Sequence, residues 1–128
     1  MKVATYLEFK DNAKEVIETY KAIFNAEVTL AYVYDADMTD DPTLIGKIFH
    51  AELKIGDLNL YICDSGTESA FPSTKLVVEI HDEAEAQEIF DNLAKDGEII
   101  REFTKMSFGP TIADVKDKFG LKWNIVIC

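Results

Sequence analysis

AELKIGDLNLYI, residues 51–62, and ADVKDKFGLKWNIVI, residues 113–127, decide how this chain is read. Each is an alternating apolar stretch, a glycine-bearing turn and a second alternating stretch, so each predicts a pair of strands. The second copy carries two extra residues before its glycine. In the first copy Gly56–Asp57 is a hairpin-like turn between strands at Lys47–Ile55 and Leu58–Cys63. In the second, Thr111–Lys116 and Leu121–Ile127 take the same places.

Working outward, each hairpin is preceded by the same order of elements. Lys2–Phe9 alternates and predicts a strand. DNAKEVIETYKAIFNAEV follows, in which Asp11 or Asn12 can cap a helix and Glu15 can complete a capping box. Val16, Ile17, Tyr20, Ile23 and Phe24 give that helix one apolar face. A strand at Val28–Tyr34 and an acidic loop, DADMTDDPT, lead into the first hairpin. After a connector at Asp64–Ser73, Lys75–Ile80 predicts a strand. Asp82 caps a helix with Ala86, Ile89, Phe90 and Leu93 on its apolar face, and Gly97 stops it. Ile99–Phe103 predicts the strand before the second hairpin. The chain is therefore an internal repeat of roughly 70 residues, read as an α+β fold of two tandem βαβββ modules in a curved mixed sheet with helices on one side and a concave face on the other.

Side chains on a strand alternate between two faces, which sorts the candidate site residues. Leu7 and Phe9 oppose Tyr6 and Glu8. Phe49, Ala51, Leu53 and Ile55 oppose His50, Glu52 and Lys54. Leu76, Val78 and Ile80 oppose Lys75, Val77 and Glu79, and Trp123, Ile125 and Ile127 oppose Lys122, Asn124 and Val126. One face of each strand suits packing on a helix; the other is either a solvated sheet surface or the lining of a cup. On the cup reading Tyr6, Glu8, His50, Glu52, Lys75, Glu79 and Asn124 bind ligand. His50 beside Glu52 is the candidate acid–base pair, set against a plain structural hydrogen bond. Phe108 and Trp123 are candidates to wall the site, although Trp123 has core parity. His81 reads as surface.

Three pieces resemble a known superfamily: YLEFKDNAKEVIETYKAIFNAEV (6–28), HAELKIGDLNLYICD (50–64) and FGPTIADVKDKFGLKWNI (108–125). They are similar to the vicinal oxygen chelate proteins, which include glyoxalase I, extradiol dioxygenases and bleomycin- and fosfomycin-resistance proteins. Asp117, Phe119, Gly120 and Trp123 match the DxFGxxW ending of its PhnB-like branch. The resemblance covers essentially the whole chain. It implies a single glyoxalase-like domain, with modules at about 1–65 and 74–128, that lines a cup and pairs as a homodimer. Metal-dependent members carry His, Glu or Gln on the first and fourth strands of each module. The matching positions here look like Ala4, Leu60, Lys75 and Asn124, a set that does not supply three or four donors. The expectation is therefore no metal and no cofactor. The function implied is a metal-free small-molecule-binding protein of the PhnB-like, bleomycin-resistance type. Its alternative is an enzyme of lyase, isomerase or dioxygenase type, either metal-dependent or using His50 and Glu52. A third reading has the cups filled by side chains, leaving a structural or partner-binding domain.

Composition narrows the partners. With 24 acidic against 13 basic residues the net charge is −11, which repels nucleic acid and anionic membranes. It favours a cationic ligand, as in bleomycin-binding relatives, or serves solubility alone. The N-terminal stretch MKVATYLEFKDNAKE holds no signal-peptide core, and no apolar run spans a bilayer. Cys63 and Cys128 form no CxxC, so a cytoplasmic protein with free thiols is expected. The acidic loop Asp35–Asp41 fails as an EF-hand, because Thr39, Asp40 and Gly46 stand at positions five, six and twelve; it reads as a mobile loop. No GxSxG, P-loop or GxGxxG occurs.

Overall fold

The structure is a computed structural model that describes residues 1–68 and 70–128. The chain divides into two compact modules, residues 1–69 and 70–128. Ser69, which the predicted connector Asp64–Ser73 includes, lies outside the described residues.

The first module runs β1 (Thr5–Phe9), α1 (Ala13–Phe24), β2 (Glu27–Val33), a 3₁₀ turn (Pro42–Leu44), β3 (Ile48–Ile55) and β4 (Leu58–Asp64). Its sheet has the order β1-β4-β3-β2, with β1 parallel to β4 and the other pairs antiparallel. The second repeats the plan with β5 (Lys75–Ile80), α2 (Glu83–Ala94), β6 (Glu98–Lys105), β7 (Thr111–Lys116) and β8 (Lys122–Ile127). Its sheet order is β5-β8-β7-β6, again with one parallel pair, β5–β8. The predicted tandem βαβββ order is present, and neither sheet closes on itself.

Periodicity explains the layers. Val16, Ile17 and Tyr20 of α1 are buried, as are Leu7 and Phe9 of β1 and Ala51, Leu53, Leu60 and Ile62 of the hairpin. Ala86, Ile89, Phe90 and Leu93 of α2 are buried with Ala113, Val115, Trp123 and Ile125. Each large side chain in these sets contributes about 2 kcal/mol by leaving water.

Several local expectations differ from the structure. β1 starts at Thr5 rather than Lys2, and β6 runs on to Lys105. Asn12 makes no side-chain cap; Asp64, at the end of β4, accepts from the Ala13 N–H at 2.8 Å instead. Asp82 does cap α2, accepting from the N–H groups of Ala84 and Glu85. At the other end of α2 the left-handed residue is Asp96 (φ +59), not Gly97. Gly97 is required for another reason: a Cβ there would run into the backbone carbonyl of Lys116. The acidic loop contains the 3₁₀ turn, where Asp41 accepts from the N–H and hydroxyl of Thr43. Those bonds hold the Asp41 carboxyl below its usual value.

Candidate functional site

The polar face of the first sheet brings together three predicted residues. The Tyr6 hydroxyl lies 2.8 Å from Nδ1 of His50, and Nε2 of His50 lies 2.9 Å from Oε2 of Glu52. A carboxylate only accepts, so Nε2 carries a hydrogen. Nδ1 of the neutral ring is then free to accept from the Tyr6 O–H. The chain Tyr6→His50→Glu52 thus has every bond satisfied in one direction.

Sheet register explains the grouping. Tyr6 pairs with Tyr61 across β1–β4, and Glu52 pairs with Tyr61 across β3–β4. The rings of Tyr6, His50 and Tyr61 stand 5.1 to 5.8 Å apart, with Tyr61 edge-on to the other two. The side chains of His50 and Glu52 are 21% and 23% exposed, while Tyr6 keeps 45% of its surface open. A ligand can therefore reach the phenol end of the chain, while the imidazole and carboxylate are fixed behind it.

Cys63 pairs with Glu8 in the next row, and its thiol is within hydrogen-bonding reach of Tyr6. Burial pushes the thiol up, the Tyr6 hydrogen bond partly offsets this, and the negative groups Glu8 and Asp64 add smaller upward contributions. Cys63 is consequently a neutral thiol and no nucleophile at neutral pH. Tyr6 is also raised, first by burial and then by Cys63, so it serves as a neutral donor. Glu8 is exposed on the same face as Tyr6.

The second module groups Lys75 and Asn124 around a residue that sequence reasoning missed. Asp114 on β7 accepts from Asn124 Nδ2 at 2.8 Å. Lys75 and Arg101 form ion pairs with it at 3.7 and 3.3 Å. The signal was available: Asp114 alternates with the buried Ala113 and Val115. Glu79, exposed on β5, takes no part in this network. His81 bonds the Cys128 carbonyl oxygen at the surface.

The last motif is structural, as the core parity of Trp123 implied. Trp123 is buried and donates Nε1–H to Asp117 Oδ2 at 2.9 Å. Asp117 Oδ1 accepts from the N–H groups of Phe119 and Leu121, and Gly120 turns at φ +89. The DxFGxxW residues therefore build the β7–β8 turn and its core anchor. Phe108 is 75% exposed and lies outside the strands.

Of the positions matched to metal ligands, Leu60 differs from the expectation. Leu60 is fully buried in the core, and the β4 residue facing Tyr6's side is Tyr61. Among the described residues no three His, Cys, Asp or Glu side chains are grouped to hold a metal ion. His50 already uses both ring nitrogens, and Tyr6 and Tyr61 supply only phenols. This donor set does not fit the three- or four-donor site of a transition metal.

A family model described as 3-demethylubiquinone-9 3-methyltransferase matches residues 1–126. The chain belongs to this family. With it goes the PhnB-like branch of the vicinal oxygen chelate superfamily, and the tandem modules have its glyoxalase-like α+β fold. The PhnB protein from Bacillus cereus is 26% identical, with all of each chain covered and a TM-score of 0.86. Protein PA1353 from Pseudomonas aeruginosa shares the fold at 20% identity, covering 99% of this chain and 97% of that one, TM-score 0.82. A fosfomycin resistance protein from Listeria monocytogenes, solved with Mn(II) and sulfate, shares it at 14% identity, covering 99% and 89%, TM-score 0.69. No curated protein matches the sequence. Among the described residues no helix is long and apolar enough to cross a membrane.

Proposed function

We propose that this protein binds a small organic molecule, without a metal ion, on the polar face of the first module's sheet. The observation that carries the reading is the Tyr6–His50–Glu52 chain. Three polar groups, Tyr6 on β1 with His50 and Glu52 on β3 across the intervening β4, are locked at 2.8 and 2.9 Å, with the outermost open to solvent. A few fixed polar groups beside aromatic rings are what a small-ligand site requires. The family's description names a methyl transfer. The strand–helix turns Lys10–Asn12 and His81–Asp82 hold no glycine, so neither is a Gly-rich loop of the kind that seats a nucleotide-bearing methyl donor. Both helix N-termini, moreover, are filled by the carboxylates of Asp64 and Asp82.

The proposal includes a homodimer in the cytoplasm. Edge strands β2 and β6 expose Tyr32, Val33, Ile99 and Ile100, which supports self-association. Unpaired Cys63 and Cys128 support a reducing compartment.

A fragment library screened by thermal shift tests the binding face. Hits stabilise the wild type, and Tyr6→Phe and Glu52→Ala lower their affinity about tenfold, equivalent to one lost hydrogen bond to a fixed group. Hits that ignore both substitutions would place the site elsewhere and reject the proposal.

The same hydrogen-bonded chain supports a second reading, cofactor-free proton transfer. His50 would take a proton through the Tyr6 oxygen, with the imidazolium held by Glu52. That reading requires a turnover whose pH profile depends on His50. Equal activity in His50→Ala rejects it.

A further inference from the structure

The Lys2 ammonium stands over the ring of Tyr61, 5.6 Å from its centroid. A cation over an aromatic face is held by the ring's quadrupole, so the chain places a positive charge on the face described above. The surroundings suit that charge. Tyr61 lies in one row between Tyr6 on β1 and Glu52 on β3, and Glu8 is exposed on the same face as Tyr6. Tyr6 gives its hydrogen to His50, so its oxygen turns lone pairs outward, of which the Cys63 thiol can occupy one. Lys54, opposite Asn59 beyond Glu52, is the positive neighbour on β3.

Lys2 itself precedes β1, which starts at Thr5, and its neighbours Met1 and Val3 are exposed. Lifting it from Tyr61 breaks no sheet hydrogen bond. We infer that Tyr61 and Tyr6 form a seat for an organic ammonium ion, which Lys2 fills in the free protein and a ligand enters by displacing it. This rests on the small-molecule face proposed above and adds the chemistry of its ligand: a primary or secondary ammonium whose N–H groups meet the Tyr6 oxygen.

The test is a titration with benzylammonium, using benzyl alcohol as the neutral match, followed by the ring resonances of Tyr61 and the side-chain resonances of Lys2. Benzylammonium moves Tyr61 and releases Lys2, and it binds several-fold more tightly than the alcohol. Lys2→Ala raises its affinity about threefold, the size of one exposed cation–π contact, and Tyr61→Leu lowers it by at least as much. Lys2→Ala lies before the first strand, so it keeps the test open should Tyr61→Leu not fold. Equal binding of the alcohol at Tyr6 and Tyr61 overturns the ammonium seat and leaves the small-molecule face standing. Benzylammonium binding that is unchanged in Lys2→Ala and in Tyr61→Leu overturns the seat as well.

Discussion

Asp64 and Asp117 are buried carboxylates at 1% and 5% exposure, and both are committed to the backbone. Asp64 Oδ1 takes the Ala13 N–H and Oδ2 the Ile48 N–H, tying α1 and the start of β3 to the end of β4. Replacing it with alanine leaves two N–H groups without acceptors, at a cost of about 3 kcal/mol. Urea unfolding of Asp64→Ala checks this; a loss below 1 kcal/mol would mean that water replaces the carboxylate. The cysteines give a second expectation. Ellman's reagent at pH 8 labels exposed Cys128 at once and buried Cys63 only on unfolding. Fast labelling of both would contradict the raised thiol.

The sign of the alkaline response follows from the same residues. Tyr6, Tyr34 and Cys63 are all raised in the folded state, each first by burial. Their contribution is complete below their unfolded values. Above about pH 9 the unfolded chain releases protons first and the folded chain holds more of them, so stability falls as pH rises. Urea midpoints between pH 8 and 11 decline, and Tyr6→Phe declines less steeply. A flat profile would contradict the assignment.

At the scale of elements, what was legible is what is local. Asp82 and the α2 that it caps are separated by two or three residues, and the spacing alone located the cap. The cap of α1 comes from 51 residues away, so no local pattern pointed past Asn12. Parity placed Tyr6, His50 and Glu52 on one face because strand alternation is strict. Counting from a turn puts Leu60 at a ligand position, one residue off the face where Tyr61 stands. Asp114 and Arg101 belong to no local motif, and they meet only through the pairing of β6 with β7. Gly97 shows the remaining gap: it read as a helix stop, but the constraint is the β7 backbone beside it. Gly97→Ala should destabilise the protein by about 2 kcal/mol, as over-packing against fixed backbone does. An unchanged thermal midpoint would show that the β7 end yields.

For the whole molecule, the βαβββ order gave the fold, because it depends on features repeated along the chain. The function lies in a handful of side chains that a fold of many uses does not dictate. Sedimentation equilibrium tests the proposed pairing: twice the chain mass for the wild type, one chain mass for Tyr32→Lys with Ile100→Lys. A wild type sedimenting as a single chain would remove the homodimer.

The most direct measurement is of the His50 ring by NMR in chelator-treated protein, during titration with hits from the fragment library. The account predicts that a hit shifts the His50 and Tyr6 resonances with no metal added, and that Zn²⁺ or Mn²⁺ leaves its affinity unchanged. A His50 ring that stays silent until a metal is supplied, and then responds to the ligand, would contradict it.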